Sequence, residues 1–323
     1  MRRLLLFLAL LIVVVAAAFV AEQWEFFAPG PPASRGNATI IWVKSGERAA
    51  AIARDLQNAG VVKNAALFRF GVWLRGKNAA LKAGEFAISS RASMAGVMGI
   101  LTSGKPIQHR ITIAEGLTSG MIFDIVRKNP ILVGNAGTVP AEGSLLPETY
   151  LFIRGTTRAE LLARMARAQQ RFLAKRWPTR AASLPFTSQE DAVTLASIVE
   201  KETGNSDERP EVASVYYNRL EKHMALQADP SVIYAELLQG DYSGALHHAD
   251  MQFKSDYNTY SHPGLPPGPI GNPGKSALEA AMHPATTDYF YFVSDGNGHH
   301  RFAHDLEEHN RNVAAFRKAV QQR

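Results

Sequence analysis

The chain opens on an unbroken apolar run from Leu4 to Val20, preceded by Met1-Arg2-Arg3. Extended through Ala21 to the interfacial aromatics Trp24, Phe26 and Phe27, the run is long enough to cross a bilayer as a helix. The two leading arginines predict an N-terminus in the cytoplasm. Ala16-Ala17-Ala18 offers a small-residue cleavage site, but the run is long for the core of a signal peptide, so an uncleaved anchor over residues 1–28 is the expectation. The Pro-, Gly- and Ser-rich residues 29–38 read as a linker, and the roughly 18 residues between Val20 and the strand at Thr39 have a reach as a flexible coil of roughly 25 Å.

Alternating and helical periods then take turns. Thr39 to Val43 reads as a strand, Lys44 to Glu47 as a turn, and Ile52 and Leu56 mark a helix face. The pattern returns at Ile111 to Ile113, with a turn at Glu115-Gly116 and a helix carrying Ile122 and Val126. Two similar strand-turn-helix units packed on each other are expected. Between them, Gly84 to Ile88 reads as a strand and Ser93 to Leu101 as a short helix. Gly134 to Gly143 marks a boundary, and Arg158 to Arg176 is a long basic amphipathic helix. Ser188 to Gly204 is a further helix, with the S-x-x-D spacing of a capping box and a glycine behind it. Pro210 opens a helix whose apolar face holds Val212, Val215 and Tyr216. Asp229-Pro230 opens another, with Asp229 as its natural N-cap. Ser261 to Lys275 is a stiff Pro- and Gly-rich loop, and Ser276 to Glu279 reads as a second capping box. Tyr289 to Val293 and His299 to Ala303 form a hairpin. A last helix opens at Asp305 and buries Leu306, Val313, Phe316 and Val320. The fold class is α+β, with an N-terminal transmembrane helix, a βα region over residues 39–133 and a mixed α+β domain over residues 134–323.

Composition narrows the partners. The 323 residues carry a formal charge of +6 and no cysteine, which excludes disulfides, thiolate metal sites and cysteine nucleophiles. A basic chain suits an anionic partner such as anionic lipid or an acidic wall polymer. Its basic residues form no dense run, so no nucleic-acid partner is expected. His299, His300, His304 and His309 cluster in sequence, but none has H-E-x-x-H spacing. Strand alternation sends His299 and His300 to opposite faces, so no metal site is expected.

The candidate chemistry sits at the end of the Ser188–Gly204 helix. Leu195, Ile198, Val199 and Glu202 share one face, and Glu200 lies roughly 200° around the helix. Apolar neighbours and the helix C-terminus both disfavour a carboxylate anion, so Glu202 is the candidate for a carboxyl that stays protonated near neutral pH. The plainer alternative, a helix-end Glu paired with Lys or Arg, stays open on the helix alone. Tyr257 and Tyr260 can stack on sugar rings or belong to the core, and Asn258 can bond a hydroxyl or acetamido group.

In order, A-S-I-V-E-K-E-T-G, L-Q-A-D-P-S-V-I-Y, Y-N-T-Y, G-L-P-P-G-P-I, H-P-A-T-T-D-Y-F-Y-F-V and H-x-F-x-x-x-L-x-x-H-N make the chain resemble the YceG-like (MltG-type) endolytic murein transglycosylases. V-K-S-G-E-x(5)-I-A-x-x-L at Val43 to Leu56 resembles the start of a LysM glycan-binding module, as well as any βα unit. The resemblance implies a bacterial inner-membrane protein whose extracytoplasmic domain cuts MurNAc-GlcNAc bonds within glycan strands and leaves 1,6-anhydro-MurNAc ends. It implies Glu202 as the catalytic acid and base. It places Gln227, Asp229, Asn258 and Tyr260 in the substrate cleft, needs no cofactor or metal, and brings peptidoglycan synthases in as partners. Two other readings stay open: a hydrolytic muramidase with Asp229 as second carboxylate, and an inactive membrane-anchored peptidoglycan-binding scaffold. A chain lacking residues 1–130 is expected to keep cleaving, at reduced affinity.

Overall fold

The apolar run is one continuous helix, α1 (Arg2–Phe27), in a computed structural model that describes residues 2–321. Met1 of the expected anchor, and Gln322 and Arg323 at the end of the expected second domain, lie outside the described residues. α1 is long and apolar enough to cross a membrane, and its apolar window is unburied. In chain order there follow β1 (Ala38–Val43), α2 (Ala49–Asn58), α3 (Ala65–Leu74), β2 (Gly84–Ser89), α4 (Met94–Ser103), β3 (Gln108–Thr112), α5 (Ser119–Lys128) and β4 (Thr149–Ile153). Then come α6 (Arg158–Arg176), α7 (Gln189–Glu202), α8 (Arg209–Glu221), α9 (Asp229–Gln239), α10 (Lys275–Met282), β5 (Tyr291–Ser294), β6 (His300–Ala303) and α11 (Leu306–Gln321). The fold is mixed α+β. Among the described residues the strands pair as β1–β2, β3–β4 and β5–β6.

The chain divides into two compact units. The first holds the residues up to Arg110 with Pro130–Val133 and Leu151–Thr156. There β1 and β2 run antiparallel with Ile41 opposite Phe86 and Val43 opposite Gly84. Strand alternation turns Ile41, Val43, Phe86 and Ile88 inward, onto Ile52 and Leu56 of α2, Phe68 and Val72 of α3, and Val97 and Leu101 of α4. The hydrophobic pattern did not announce α3, because its apolar residues lie all around the helix. What starts it is Asn64, whose side chain accepts from the backbone N–H groups of Ala66 at 2.9 Å and Leu67 at 3.1 Å. The last turns of α1 belong to this unit: Phe26 is fully buried in its core, and Glu22 pairs with Arg75 at 2.9 Å. The backbone after α1 is pinned too, with Gly30 donating to Arg91 O at 3.2 Å and Arg91 donating to Pro31 O at 3.0 Å. The expected flexible linker is therefore fixed at its start.

The second unit holds Ile111–Asn129, Gly134–Tyr150 and Thr157–Arg323. Its centre is α7, in which every residue from Ala192 to Val199 is buried. Around it pack α8, α9 and α10, contributing Val212, Tyr216, Tyr217, Leu278 and Ala281 to one core. Ser188 starts α7 as expected, its Oγ accepting from Asp191 N at 3.0 Å. Several local expectations give way to tertiary demands. Helix α10 starts at an uncapped Gly274, so Ser276 lies inside the helix. Helix α11 is capped by Asp305, which accepts from Glu308 N at 2.8 Å. Its main support is the β5–β6 hairpin, and Leu306 and Val320 stay more than half exposed instead of buried. Of the two strand-turn-helix units, the first pairs its strand β1 with β2 and the second pairs its strand β3 with β4.

Candidate active site

Helix α7 is enclosed on nearly every side, so facing alone does not separate its two terminal glutamates. Their partners do. Glu200 is nearly buried and neutralised: Oε1 takes the Arg209 guanidinium at 2.7 Å, and Oε2 takes the Gly274 N–H at 2.9 Å. Glu202, the last residue of α7, keeps partial exposure to a polar cavity. Its Oε1 accepts from the Tyr216 hydroxyl of α8 at 2.7 Å. Burial of the carboxyl raises its pKa to about 7; the Tyr216 hydrogen bond opposes this, the Asp229 charge adds to it, and the Arg219 charge again opposes it. With Oε1 held by a donor, the proton of the neutral form sits on Oε2.

The cavity, of about 290 Å³, is lined on the α8–α9 side by Arg219, Leu226, Gln227, Asp229 and Tyr260. Arg219 closes it from within α8. Its Nε donates to Phe290 O at 2.7 Å and its Nη1 to Leu226 O at 2.9 Å and Gln227 Oε1 at 3.2 Å, while the guanidinium lies 5.0 Å from the Tyr291 ring centre. One arginine thus ties the hairpin strand to the α8–α9 connection. Gln227 sits at φ +54°, a left-handed conformation uncommon for a side-chain-bearing residue. It is held there by its N–H to Thr259 O at 3.0 Å. The next N–H, of Ala228, goes to Thr259 Oγ1 at 3.0 Å, so the Tyr257–Tyr260 loop clamps the start of α9. The clamp brings the Tyr260 hydroxyl to Asp229 Oδ1 at 2.5 Å. From the other side come Tyr291, Phe292, Leu306 and His309. His309 stacks on Tyr291 with ring centres 5.2 Å apart, and its buried Nδ1 finds no hydrogen-bond partner among the described residues. Burial, helped by the Arg219 charge, lowers its pKa, which keeps the ring neutral at neutral pH.

Four of the five site residues read from the sequence, Glu202, Gln227, Asp229 and Tyr260, line this one cavity. Asn258 does not. It is fully buried, its Nδ2 donating to Met251 O at 3.0 Å and Phe253 O at 2.8 Å and its Oδ1 accepting from Tyr260 N at 2.9 Å. A short amide beside a tight turn satisfies the backbone it sits in, and no group remains to offer a sugar. Tyr257 likewise packs edge-on against Tyr234, at 5.0 Å between ring centres. Asp229 is the first residue of α9 and makes no cap bond; Ala228 is the N-cap, and the Asp229 carboxylate is turned to Tyr260. His299 and His300 do not diverge: β6 begins only at His300, and both Nδ1 atoms reach the Glu208 carboxylate at 2.8 Å. Sequence reasoning missed Tyr216, Arg219, Tyr291 and His309. The signal for Arg219 was present, since Val212, Val215, Tyr216 and Arg219 repeat the spacing of Leu195, Ile198, Val199 and Glu202.

A carboxyl of pKa near 7 at the end of an open polar cavity, with a neighbouring carboxylate and aromatic walls, can give and take a proton at a bound sugar. The sequence pattern of the YceG-like family matches residues 41–315. A Bacillus subtilis protein named endolytic murein transglycosylase is 31% identical over 84% of this chain and 82% of its own length. A Streptococcus pneumoniae protein of the same name is 28% identical over 96% of this chain and 64% of its own length. The crystal structure of a YceG-like protein from Listeria monocytogenes superposes with a TM-score of 0.53 at 30% identity, covering 86% of this chain and 99% of that one.

Proposed function

From the premise that the chain belongs to the YceG-like family, we propose that it is an endolytic murein lytic transglycosylase acting through Glu202. The observation that carries this is the Glu202 carboxyl itself, raised to about 7 and open to a cavity shared with Asp229, Tyr260 and Gln227. In the first step the Oε2 proton passes to the oxygen that links MurNAc C1 to the next GlcNAc, and the C1–O bond breaks as that sugar leaves with its hydroxyl restored. The Glu202 carboxylate then takes the proton from the MurNAc 6-hydroxyl, whose oxygen bonds to C1. The product is the 1,6-anhydro ring, and Glu202 is protonated again. Attack by a hydroxyl on the same sugar exploits proximity and needs no activated water. The Asp229 carboxylate supplies negative charge beside the positive charge that develops at C1.

One observation favours a second reading. Asp229 lines the same cavity, so a hydrolytic route with Asp229 activating water is open to this geometry. Mass spectrometry of purified glycan strands after digestion separates the two. Anhydro ends are lighter than reducing ends by one water, and a product set of reducing ends alone overturns the transglycosylase reading. Glu202→Gln keeps the shape and removes the acid, and we expect folded protein with cleavage reduced by at least a hundredfold. Cleavage at the wild-type rate by that variant removes Glu202 from the mechanism. α1 is read as an uncleaved membrane anchor that holds the enzyme where new strands emerge. Copurification of synthases with the detergent-extracted protein tests them as partners.

A further inference from the structure

The first unit carries a helix that is apolar on both sides yet covered on only one. Phe68, Gly71 and Val72 of α3 face the core, while Ala66, Phe70, Trp73 and Leu74 run along its exposed side at helical spacing. Trp73 is 60% exposed and Phe70 46%, with their rings 5.7 Å apart. An apolar helix side of this kind calls for a cover. What covers it follows from where α3 is fastened.

Its attachment is α1. A Cβ at Gly71 would sit 2.2 Å from the Phe26 ring and 2.9 Å from Glu22 Oε1, so the two helices touch through this glycine. At the C-terminal end of α3, Arg75 reaches Glu22 at 2.9 Å and Gln23 at 2.9 Å; just before its N-terminus, Lys63 reaches Glu25 at 3.5 Å. Lys63 and Arg75 flank α3, a helix about 15 Å long, whereas Glu22 and Glu25 are about 4.5 Å apart along α1. The shorter helix therefore crosses the longer one at a single height. That height is about 3–9 Å beyond Val20, where the apolar run ends. The headgroup layer of a bilayer is about 5–8 Å thick on each side. The exposed Trp24 of α1 lies at the same level and the exposed Phe27 just beyond it. The charge fits as well. Between Val61 and Gly84 there is no Asp or Glu, and beyond Lys63 and Arg75, which pair with Glu25 and Glu22, the segment carries Arg69, Lys77 and Lys82. An aromatic stripe in an all-basic segment matches a surface of acyl chains under phosphates.

We propose that the outer side of α3 rests in the headgroup layer of the bilayer that α1 spans, on the side of the membrane away from the N-terminus. The first unit is then a foot standing on the membrane, with α1 and α3 as its two contacts. This rests on the reading of α1 as a span, and the experiment separates the two. The chain has no cysteine, so single nitroxides can be placed at Val20→Cys in the span, Ala66→Cys on the α3 stripe and Glu190→Cys as an exposed reference. The full chain is reconstituted in vesicles of phosphatidylethanolamine and phosphatidylglycerol. Collision rates are measured with oxygen, which concentrates in lipid, and with a water-soluble nickel chelate. The expected result is a label at Ala66 shielded from nickel several-fold relative to Glu190, with Val20 lipid-exposed. Adding Phe70→Ser with Trp73→Ser, both at exposed positions, should return Ala66 to water and leave Val20 unchanged. Val20 in lipid with Ala66 as wet as Glu190 overturns the foot and leaves the anchor standing. Spin–spin broadening at Ala66 overturns it in favour of a second copy as the cover. A wet Val20 overturns the span and the foot together.

Discussion

Glu202 and Glu200 are two residues apart on one helix; burial raises the pKa of both, and it is their partners that give them different expected behaviour. Glu202 is held near 7, so a carboxyl proposed as the acid loses its proton as pH rises through that value; on that proposal kcat/KM against pH should fall above about 7. A flat profile from pH 6 to 9 contradicts the acid role. The same carboxyl predicts a stability trend. Its folded pKa lies above the ordinary 4.5, so the native state holds a proton that the unfolded state has given up between those values. Its contribution is present at low pH and lost as pH rises through about 7, a change of about 2 kcal/mol after allowing for its partial exposure. Thermal melts of Glu202→Gln should accordingly gain most on wild type at pH 8 and least at pH 5. Glu200 differs because Arg209 and the Gly274 N–H already satisfy it. Glu200→Gln leaves a nearly buried guanidinium with only Glu115, 3.6 Å away, as a charge partner. We expect a loss of about 2 kcal/mol in urea unfolding with the pH optimum unmoved.

At the scale of elements, the cavity is a junction of helix ends and a loop. α7 brings Glu202, α8 brings Tyr216 and Arg219, and the start of α9 brings Asp229. The loop at Tyr257–Tyr260 holds Gln227 and Ala228 by their backbone N–H groups and carries Tyr260 to Asp229. Asn258 braces that loop with two donated bonds and one accepted bond in a fully buried position. Asn258→Ala should therefore cost about 2–3 kcal/mol in urea unfolding and loosen Tyr260. A variant with normal stability and normal kinetics contradicts the brace. Here the sequence was misleading for a physical reason. A polar residue in a Pro- and Gly-rich loop can serve a ligand or the loop's own backbone, and only the fold tells which carbonyls lie within reach of its amide.

At the scale of the molecule, the second unit does not begin where a composition boundary suggests. Asn272 donates to Leu117 O, Ser119 Oγ and Glu142 Oε1, each at 3.0 Å, and its Oδ1 accepts from Leu145 N at 2.9 Å. A chain lacking residues 1–130 loses Leu117 and Ser119 from this buried network. Such a chain should lack a cooperative unfolding transition by circular dichroism; a sharp melt with retained cleavage would instead make the part beyond Gly134–Gly143 a separable domain. The tether obeys the same constraint. Phe26 and Glu22 belong to the first unit's core, so exchange of the span for a cleavable signal peptide must end at Val20. In cells without the native copy, such a released enzyme at equal abundance should leave longer glycan strands than the anchored one, as read by strand-length chromatography. Equal lengths would assign α1 to export alone.

Periodicity and ordered motifs, which are local, determined most of the elements, the apolar N-terminal helix, the α+β class and the singling out of Glu202. The tertiary structure decided what depends on distant neighbours. It made α7 central, so that pairing with Arg209 rather than helix face separates Glu200 from Glu202. It turned Asp229 from a cap toward Tyr260, set Arg219 and His309 in the cavity wall, and left Leu306 and Val320 at the two ends of the α11 stripe exposed, with the β5–β6 hairpin as the main support. α3 shows the limit most plainly. Nine of its ten residues are apolar and lie all round the helix, with Arg69 the exception, and only its fastening to α1 at Gly71 and Arg75 assigns one side to the core and leaves the other for a surface.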